Sequence, residues 1–314
     1  MRAVIATRRD PRRLRMVQLA PPELEEGEVL VRVEAASVSR LDVEMLDGWA
    51  GRSGDTAVPG CDAAGVIVGT FGNVGSLVAG DRVATVARPG AIGSGTYAEL
   101  VSVPAPQVAR VPAGVELAEA AALALAGVAA CQALYAIMPE AGETVLIQGA
   151  SGGVGTLAIQ LAKRGGARVI AGASAAAAHL CVALGADLVV DSRRSGAVPA
   201  MRHFVPRGCD ALLDLVDHNT QHASAAFLAR RGRLVTLLSV VDHGAYVDRR
   251  ITAWRVDMHP DGKTLETLLD FVASGVLRPV IAGVLPLAQA AAAHDLLRAG
   301  GVQGKLVLQV SGEG

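Results

Sequence analysis

The sequence predicts an α/β chain in which a doubly wound parallel sheet is joined to a second, β-rich domain. Its 314 residues exceed one typical domain of about 100 to 200 residues. Short β-type runs broken by turn residues fill the chain up to Val111, whereas apolar strand runs alternate with helical stretches from Thr144 onward. Such alternation is typical of a parallel sheet covered by helices. We expect one domain from 1–115 with 259–314, and the other from 116–258.

The strands and helices follow from local patterns along the chain. In the first domain we expect strands at 3–6, 29–33, 64–68, 82–86 and 97–103. In the second we expect them at 145–147, 169–171, 188–190, 211–215 and 234–238. A helix at 263–272 and a run at 305–310 follow, and the run is expected to return to the first domain. The arginine-rich N-terminus predicts a solvated hairpin rather than a transit peptide.

Composition excludes several classes of protein. The chain is 51% hydrophobic and 19% charged, with a formal net charge of -1, which excludes an acidic disordered chain and a globally basic nucleic-acid binder. Its four cysteines form no C-x-x-C pair, which is typical of a reduced, cytoplasmic protein. The most apolar stretch, 117–138, contains Glu119, Gly127 and Gln132 and predicts a buried helix pair rather than a membrane span.

A glycine turn follows the first strand of the alternating region, and it is the motif that indicates a function. Gly149 permits the turn, Gly152 or Gly153 lets a pyrophosphate approach the backbone, and Gly155 lets the next helix lie close to the sheet. The start of that helix directs N–H groups and the positive end of its dipole at a phosphate. With a second strand following at the expected spacing, this unit predicts Rossmann-type dinucleotide binding. The same residues fit the G-x-S-x-G elbow of serine hydrolases around Ser151, but no glycine-rich oxyanion segment precedes them.

The end of the second strand bears on which dinucleotide is bound. NAD sites usually place an acid about 20 residues past the glycines, to bind the ribose 2′-OH. Here Ala173 and Ser174 occupy that place. Ser174 can donate a hydrogen bond to a 2′-phosphate, and Arg193 and Arg194 follow the third strand. The sequence therefore favours NADP(H), although these arginines also fit a solvated loop.

Ten short stretches, in order along nearly the whole chain, resemble those of the medium-chain dehydrogenase/reductases, in the zinc-independent quinone oxidoreductase branch that includes zeta-crystallin and enoyl reductases. They are 27–33 (GEVLVRV), 58–66 (VPGCDAAGV), 79–83 (AGDRV), 95–99 (GTYAE), 125–127 (LAG), 149–155, 184–187 (LGAD), 231–235 (RGRLV), 277–280 (LRPV) and 304–308 (GKLVL). The resemblance implies that the β-rich domain is GroES-like. It also implies NAD(P)H-dependent reduction of quinones, enones or enoyl thioesters, in a homodimer, with the active site in the cleft between domains.

The resemblance also implies particular site residues. Ser39 takes the place of the amide that often faces the nicotinamide, and is the expected catalytic donor. The expected pocket residues are Leu41, Glu44, Met45 and Cys61. The expected cofactor-binding residues are Ala129, Gly149, Ala150, Ser151, Gly152, Gly153, Val154, Ser174, Ser192, Arg193, Val216, Leu238, Ser239 and Lys305.

The chain departs from the family pattern at several of these places. Glu44 stands where relatives often carry Tyr or Lys, and Ala129 stands at a usual Thr. Ala177 and Ser192 stand where some NADPH-specific relatives place Lys and Tyr, which weakens the preference for NADP(H) without supplying an acid for NAD.

We expect no metal in this chain. The positions that match the zinc ligands of related alcohol dehydrogenases are Ser39, 60–62 and 125–127, and they leave Cys61 as the one soft ligand. No structural four-cysteine lobe is present. His218 and His222 are spaced i, i+4 but lack a third ligand.

Together these observations predict an NADPH-dependent reductase of a quinone or of a double bond conjugated to a carbonyl. Its expected partner is a small-molecule substrate, with no nucleic acid and no membrane. The altered pocket leaves two alternatives: a nucleotide-responsive regulatory or scaffold protein without turnover, and a zinc-less alcohol dehydrogenase.

Overall fold

The structure is a computed structural model and describes residues 1–48, 56–87, 95–191, 197–216, 218–238 and 241–310. The strands, in chain order, are β1 (Arg2–Thr7), β2 (Asp10–Gln18), β3 (Glu28–Val38), β4 (Thr56–Ala57), β5 (Asp62–Phe71), β6 (Arg82–Val86), β7 (Leu100–Pro104), β8 (Val108–Arg110), β9 (Thr144–Gln148), β10 (Arg168–Gly172), β11 (Leu188–Val190), β12 (Cys209–Asp214), β13 (Leu228–Thr236), β14 (Thr252–Arg255), β15 (Ile281–Pro286) and β16 (Lys305–Gln309). The helices are α1 (Arg40–Asp47), α2 (Leu117–Ile137), α3 (Gly153–Arg164), α4 (Ala178–Ala183), α5 (Ala197–Phe204), α6 (His218–Ala225), α7 (Gly262–Ala273) and α8 (Ala290–Ala299).

The chain forms two compact units, 1–128 with 259–314, and 129–258. The division between them falls inside α2, at Val128 and Ala129. The domain boundaries expected from the sequence place the change before this helix, after residue 115.

The first unit is mostly β. One sheet has the order β2-β1-β4, and its β1 and β2 form the predicted N-terminal hairpin. The larger sheet has the order β15-β16-β3-β5-β6-β8, with β7 pairing to β3. The prediction that the last strand returns to the first domain is confirmed, because β16 pairs antiparallel with β3 from Leu306 opposite Val38. Alternate β3 side chains such as Val29, Val31 and Val33 enter a buried apolar core.

The second unit is a parallel sheet in the order β11-β10-β9-β12-β13-β14, the doubly wound order of a Rossmann domain. Gln148 at the end of β9 lies opposite Gly172 of β10 and Asp214 of β12. The carboxyl ends of three neighbouring strands therefore meet at one edge, where ligands bind in folds of this kind. The α/β class predicted from the sequence is confirmed.

One prediction about the fold is wrong: 117–138 is not a helix pair. Helix α2 runs unbroken through Gly127. A Cβ atom at this position would lie about 3 Å from the side chains of Leu123 and Leu268, so glycine lets these neighbours pack closely. The helix is long and apolar enough to cross a membrane by length and composition, but 78% of its most apolar stretch is buried inside the protein. Such burial is typical of a core helix.

Candidate active site

The turn between β9 and α3 has the conformation that its glycines predict. Gly149 has a φ of 73°, in the left-handed region where a side chain would be strained. A Cβ atom at Gly155 would lie 2.3 Å from the carbonyl oxygen of Gly149, so only glycine lets α3 pack this closely on the turn. No side chain caps α3, whose N-cap is Gly152. The first N–H groups of the helix, which have no acceptor within it, are thus available to an anion. These features fit a dinucleotide pyrophosphate.

Several of the expected cofactor residues gather at this edge of the second unit. Ser151, Gly152, Gly153 and Val154 are half-buried and lie in or next to the turn, whereas Ala150 is buried. A Cβ atom at Gly149 would lie 3.2 Å from Cγ2 of Val216, so Val216 packs directly against the turn. Leu238 follows β13 at the same edge and is partly exposed. Ala129 is buried within α2.

The end of β10 carries no acid. Gly172 is followed by Ala173 and Ser174, and Ser174 is half-buried in extended conformation before a short 3-10 turn. Its hydroxyl caps no helix. A hydroxyl at this place could donate a hydrogen bond to a ribose 2′-substituent, and no carboxylate there would repel a phosphate. The other three residues expected near the nucleotide, Ser192, Arg193 and Ser239, lie outside the described residues.

In the first unit, Ser39 begins helix α1 through a capping box. Its Oγ accepts from the N–H of Asp42 at 3.2 Å and donates to Oδ2 of Asp42 at 2.8 Å, while its own N–H donates to the same oxygen at 2.7 Å. The hydroxyl of Ser39 is thus bound to Asp42. The role of Ser39 as a donor toward a ligand stays a prediction.

Asp42 is the centre of a buried polar cluster that the sequence analysis missed. Its Oδ2 also accepts from the Tyr97 hydroxyl at 3.3 Å, while its Oδ1 is buried without a hydrogen-bond partner among the described residues. Burial is the main cause that raises the pKa of Asp42 above its ordinary value, and the charge of Asp62 adds to it. Lys305 and the hydrogen bonds from Ser39 act in the opposite direction.

Tyr97 joins this cluster to helix α8. Its hydroxyl lies 3.1 Å from Nε2 of His294, and the two rings meet edge to face with centroids 5.7 Å apart. Burial lowers the pKa of His294 to about 4, and the neighbouring Arg298 contributes. Burial together with the charge of Asp42 raises the pKa of Tyr97 well above its usual value. At neutral pH, His294 is therefore uncharged and Tyr97 keeps its proton.

A second buried cluster surrounds Asp62 at the start of β5. Its Oδ2 lies 3.0 Å from Nζ of Lys305 and accepts from the Ser37 hydroxyl at 2.7 Å. Its Oδ1 accepts from the N–H of Leu125 at 2.6 Å. Lys305 was expected to bind cofactor, but in this structure its ammonium is held by a carboxylate in the first unit.

The expected pocket residues lie on or next to α1. A small cavity of about 10 Å³, room for about one water molecule, is lined by Asp42, Met45, Leu46, Ala57, Val58, Pro59 and Gly60. Of the four expected residues only Met45 lines it. Leu41 is half-buried and Glu44 is exposed, with Arg40 at 4.0 Å; partial burial raises the pKa of Glu44. Cys61 is buried beside Asp42 and Asp62, and its pKa is raised well above the usual value, chiefly by burial.

Among the described residues, no group of three or more His, Cys, Asp or Glu side chains is arranged to hold a metal ion. Of the two spaced histidines, His222 is exposed and stacks beside Tyr246 with ring centroids 5.9 Å apart. Its surroundings are those of a surface side chain.

The sequence could not assign the Asp42 cluster because its members are far apart in the chain. Tyr97 is 55 residues from Asp42, and His294 is 197 residues from Tyr97. Asp42 lies three residues after Ser39 in the sequence, and Tyr97 lies within the stretch 95–99. Nothing in these stretches indicated that they meet.

Two family models match the chain. The model described as "Alcohol dehydrogenase GroES-like domain" matches residues 25–113, and the one described as "Zinc-binding dehydrogenase" matches residues 184–308. A chloroplastic NADPH-dependent alkenal/one oxidoreductase of Arabidopsis thaliana is 30% identical over 297 residues, which cover 91% of this chain and 73% of that protein.

Solved structures extend the likeness to the whole fold. The quinone oxidoreductase of Coxiella burnetii superimposes with a TM-score of 0.89 at 28% identity, covering 99% of each chain. A mycobacterial protein solved in complex with NADPH superimposes with a TM-score of 0.88 at 29% identity, covering 99% of this chain and 100% of that one.

The fold and the glycine turn define a nicotinamide-dinucleotide-binding dehydrogenase. More specifically, the chain belongs to the medium-chain dehydrogenase/reductase superfamily, in its zinc-independent quinone oxidoreductase-like branch, as the resemblance implied. It is an oxidoreductase of this kind.

Proposed function

We propose that this protein is a zinc-independent, NADPH-dependent reductase of a quinone or of the conjugated double bond of an enone or enoyl substrate. The observation that carries the choice of NADPH is Ser174 at the end of β10, where an NAD site would carry an acid. The Arabidopsis relative, named for NADPH and for alkenals and alkenones, supports the proposal, as does the mycobacterial neighbour that binds NADPH.

The zinc-independent part of the proposal rests on the donor set of the first unit. Ser39, at the place of a zinc ligand in related alcohol dehydrogenases, is bound to Asp42 as a helix cap, and Cys61 is a buried thiol whose pKa is raised. A zinc-bound sulfur is a thiolate, and this environment opposes loss of the thiol proton.

The residues of the two units would have different roles in the reaction. The bound dinucleotide supplies a hydride, which carries the two electrons of the reduction. The turn from Gly149 to Val154 would hold its pyrophosphate, and Val216 would pack beside it. In the first unit, Ser39 is the expected donor toward the substrate. Negative charge that grows on the substrate oxygen during hydride transfer must meet a preorganised donor.

The proposal includes the setting in which the enzyme works. We propose that it is a cytoplasmic homodimer with a small-molecule substrate, and that it binds no nucleic acid and no membrane. A net charge of -1 and the interior position of α2 agree with this setting. Sedimentation analysis of the full chain with and without NADPH tests the dimer, and a monomer at working concentrations would refute it.

The choice of cofactor is tested by titrating NADPH and NADH against the wild type and two variants. A hydrogen bond to a charged group, worth about 1.5 to 3 kcal/mol, gives a preference for NADPH of about 10 to 150 fold. We expect Ser174→Asp to reverse this preference through repulsion of the 2′-phosphate. Ser174→Asn, which introduces a side chain of nearly the same shape as Asp without the charge, is the matched control and should not reverse it. Equal or tighter binding of NADH by the wild type would contradict the proposal.

The reaction is tested by following NADPH oxidation with quinones, alkyl enones and enoyl thioesters, with analysis of the products. Reduction of the carbon-carbon double bond or of the quinone supports the proposal. Reduction of the carbonyl group alone would indicate the alcohol dehydrogenase alternative. Binding that raises the melting temperature without any oxidation would indicate the regulatory alternative. One zinc per chain in elemental analysis would contradict the metal-free assignment.

A further inference from the structure

We propose that Gln148 is a positioning residue for the dinucleotide, because it joins the three segments of the second unit that would hold the cofactor. These segments are the glycine turn, the end of β10 with Ser174, and the segment after β12 with Val216. Gln148 would keep them at the separation that an intact dinucleotide needs. The inference rests on the proposed function, since it concerns the cofactor proposed there.

Gln148 is a buried amide at the end of an apolar strand. The three residues before it in β9, 145–147, are apolar and fully buried, and Gln148 itself is only 3% exposed. Burying an amide costs free energy unless it is hydrogen-bonded. Its Nε2 donates to the hydroxyl of Ser224 in α6 at 2.7 Å, and both groups are buried. The amide is thus held in one place by a partner on another element.

The amide of Gln148 takes the space of a side chain at Gly172, the last residue of β10. A Cβ atom at Gly172 would lie 1.9 Å from Oε1 of Gln148, and the three nearest atoms to it all belong to this amide. The φ of Gly172 lies outside the left-handed region, so its backbone conformation does not require glycine. Glycine at 172 and glutamine at 148 are therefore matched to each other.

Gly172 links the glycine turn to the end of β10. Its carbonyl oxygen accepts from the N–H of Gly149 at 3.1 Å and from the N–H of Ala150 at 3.2 Å. Ser174, the residue expected at the ribose 2′-substituent, stands two residues after Gly172. A shift of Gly172 would therefore change both the turn and the place of Ser174. The amide of Gln148 lies directly against Gly172 and opposes such a shift.

The third segment is attached to Gln148 on both sides of Val216. Before it, the N–H of Leu215 donates to the carbonyl oxygen of Gln148 at 3.2 Å. After it comes α6, whose Ser224 holds the Gln148 amide. Val216 packs against the turn between these two attachments. Loss of the amide would leave only the backbone attachment.

Helix α6 has little apolar surface with which to pack on the sheet. Its buried side chains, among those that the structure describes, are Gln221, Ser224 and Ala225. Gln221 accepts from the hydroxyl of Tyr246 at 3.3 Å, and Ser224 accepts from Gln148. Most helices in proteins are stabilised by packing of an apolar face. The place of α6, and of the segment before it, therefore depends on these two hydrogen bonds.

A positioning role predicts a loss that depends on the size of the ligand. Intact NADPH would contact all three segments at once, and simultaneous contacts strengthen one another only when the sites lie at the right separation. ADP, which has a diphosphate but no 2′-phosphate, would use the turn without the 2′-phosphate contact. Adenosine 2′-monophosphate would use Ser174 without the turn. Loss of the amide should therefore weaken NADPH binding more than the binding of either fragment.

The first test measures the binding of these three ligands to the full-length protein by calorimetry, with NMR titration for the weak fragments. Gln148→Met keeps an unbranched side chain beneath Gly172 but cannot donate to Ser224. We expect its Kd for NADPH to rise about 10 fold, within the usual range for coupling between two sites. Its Kd values for ADP and adenosine 2′-monophosphate should stay close to those of the wild type. Ser224→Ala, which removes the other partner, should give the same pattern.

The second test examines the match between Gly172 and Gln148. Gly172→Ala should displace the amide and weaken NADPH binding, and it should fold because only the end of a flexible side chain must move. When Gln148→Ala is already present, no amide is left to displace, so adding Gly172→Ala should have little further effect. Such non-additivity is the signature of two residues that act together. Additive losses would overturn the inference.

Ile170→Val is the control that separates positioning from stability. Ile170 is buried in β10 two residues before Gly172, so its variant should lower the melting temperature and leave the three affinities unchanged. Wild-type affinity of Gln148→Met for NADPH, or equal losses for NADPH and both fragments, would overturn the inference. A wild type that prefers NADH would overturn only the proposed choice of cofactor. In that case a loss by Gln148→Met confined to NADH, with ADP bound as before, would still support the role of Gln148.

Discussion

Lys305 and Asp62 form a buried ion pair of 3.0 Å across 243 residues of chain. The pair joins the last strand of the first unit to the start of β5. Asp62 also holds the N–H of Leu125 and the Ser37 hydroxyl. Both oxygens of this carboxylate are thus bound to protein groups, which explains how a charge is tolerated in an otherwise apolar core.

Removing the cation from this pair should destabilise the protein strongly. Lys305→Met leaves the buried charge of Asp62 without its counter-ion, and loss of one partner of a buried pair typically costs about 3 to 5 kcal/mol. Chemical denaturation gives the change in the free energy of unfolding. The control is Lys163→Met, which breaks the partly exposed 2.8 Å pair with Asp187 and should cost about 1 kcal/mol or less. Equal losses in the two variants would contradict this account of the cluster.

His294 should make stability depend on pH on the acid side. Its pKa is lowered from 6.5 to about 4, so the unfolded chain takes up a proton before the folded protein does. The stabilisation is complete above about 6.5 and is lost as the pH falls toward about 4. The pKa difference corresponds to about 3 kcal/mol. The raised pKa of Asp42 acts in the opposite direction over part of this range, because it favours the folded state as the pH falls.

A comparison of variants isolates the contribution of the histidine. His294→Gln does not titrate and retains a polar group for Tyr97, so its unfolding free energy should fall less steeply between neutral and acid pH than that of the wild type. His222→Gln, which replaces an exposed histidine, should keep the wild-type slope. Denaturant titrations at a series of pH values measure both slopes. Parallel profiles for wild type and His294→Gln would show that His294 is not buried in neutral form.

The features that could be predicted from the sequence are those that short-range patterns determine. The turn conformation of Gly149 and the packing of Gly155 follow from spacings within one strand, one turn and one helix, and both are as expected. The edge strand β14 was not predicted, because Thr252–Arg255 is short and has no apolar run. The stretch 117–138 was expected to be a helix pair, because the contacts that make Gly127 useful within one helix come from its own preceding turn and from Leu268 of another helix.

For the candidate site, too, the sequence indicated individual residues but not their hydrogen-bond partners. Ser39 was expected at the site because the family resemblance puts it in the place of an amide. Its hydrogen bonds depend on the capping geometry at the start of α1, where its hydroxyl donates to Asp42. Lys305 was expected at the cofactor, and its partner Asp62 is too distant in sequence for any local pattern to indicate. Long-range pairing of polar groups, rather than their residue types, is the information that the sequence analysis lacked.

Substitutions at two glycines of the turn should have different effects: one should abolish cofactor binding, and the other should lower the stability of the protein. A Cβ atom at Gly152 would meet only the carbonyl oxygen of Gly149, at 3.4 Å, so Gly152→Val should leave the second unit folded while its side chain occupies the space for a pyrophosphate. A Cβ atom at Gly155 would lie 2.3 Å from that oxygen and 2.6 Å from Cα of Ala150, so Gly155→Val should damage the packing of α3 itself. Circular dichroism melts and NADPH titrations distinguish the two results. A folded Gly152→Val variant that binds NADPH normally would remove this turn from the site.

Ser39 and Ser151 distinguish a reductase from a hydrolase. Ser39→Ala removes a hydrogen bond to Oδ2 of Asp42 and the cap of α1, which should cost about 1 kcal/mol in stability. Its turnover should fall by up to about 10² fold, the smaller end of the loss typical for one preorganised donor, with little change in NADPH binding. Ser151→Ala removes only a turn hydroxyl, and its rate of NADPH oxidation should stay close to that of the wild type. Stopped-flow measurement of NADPH oxidation, alongside an esterase assay of both variants, gives the comparison. If Ser151→Ala abolished an esterase activity while Ser39→Ala oxidised NADPH at the wild-type rate, hydride transfer would no longer account for this site.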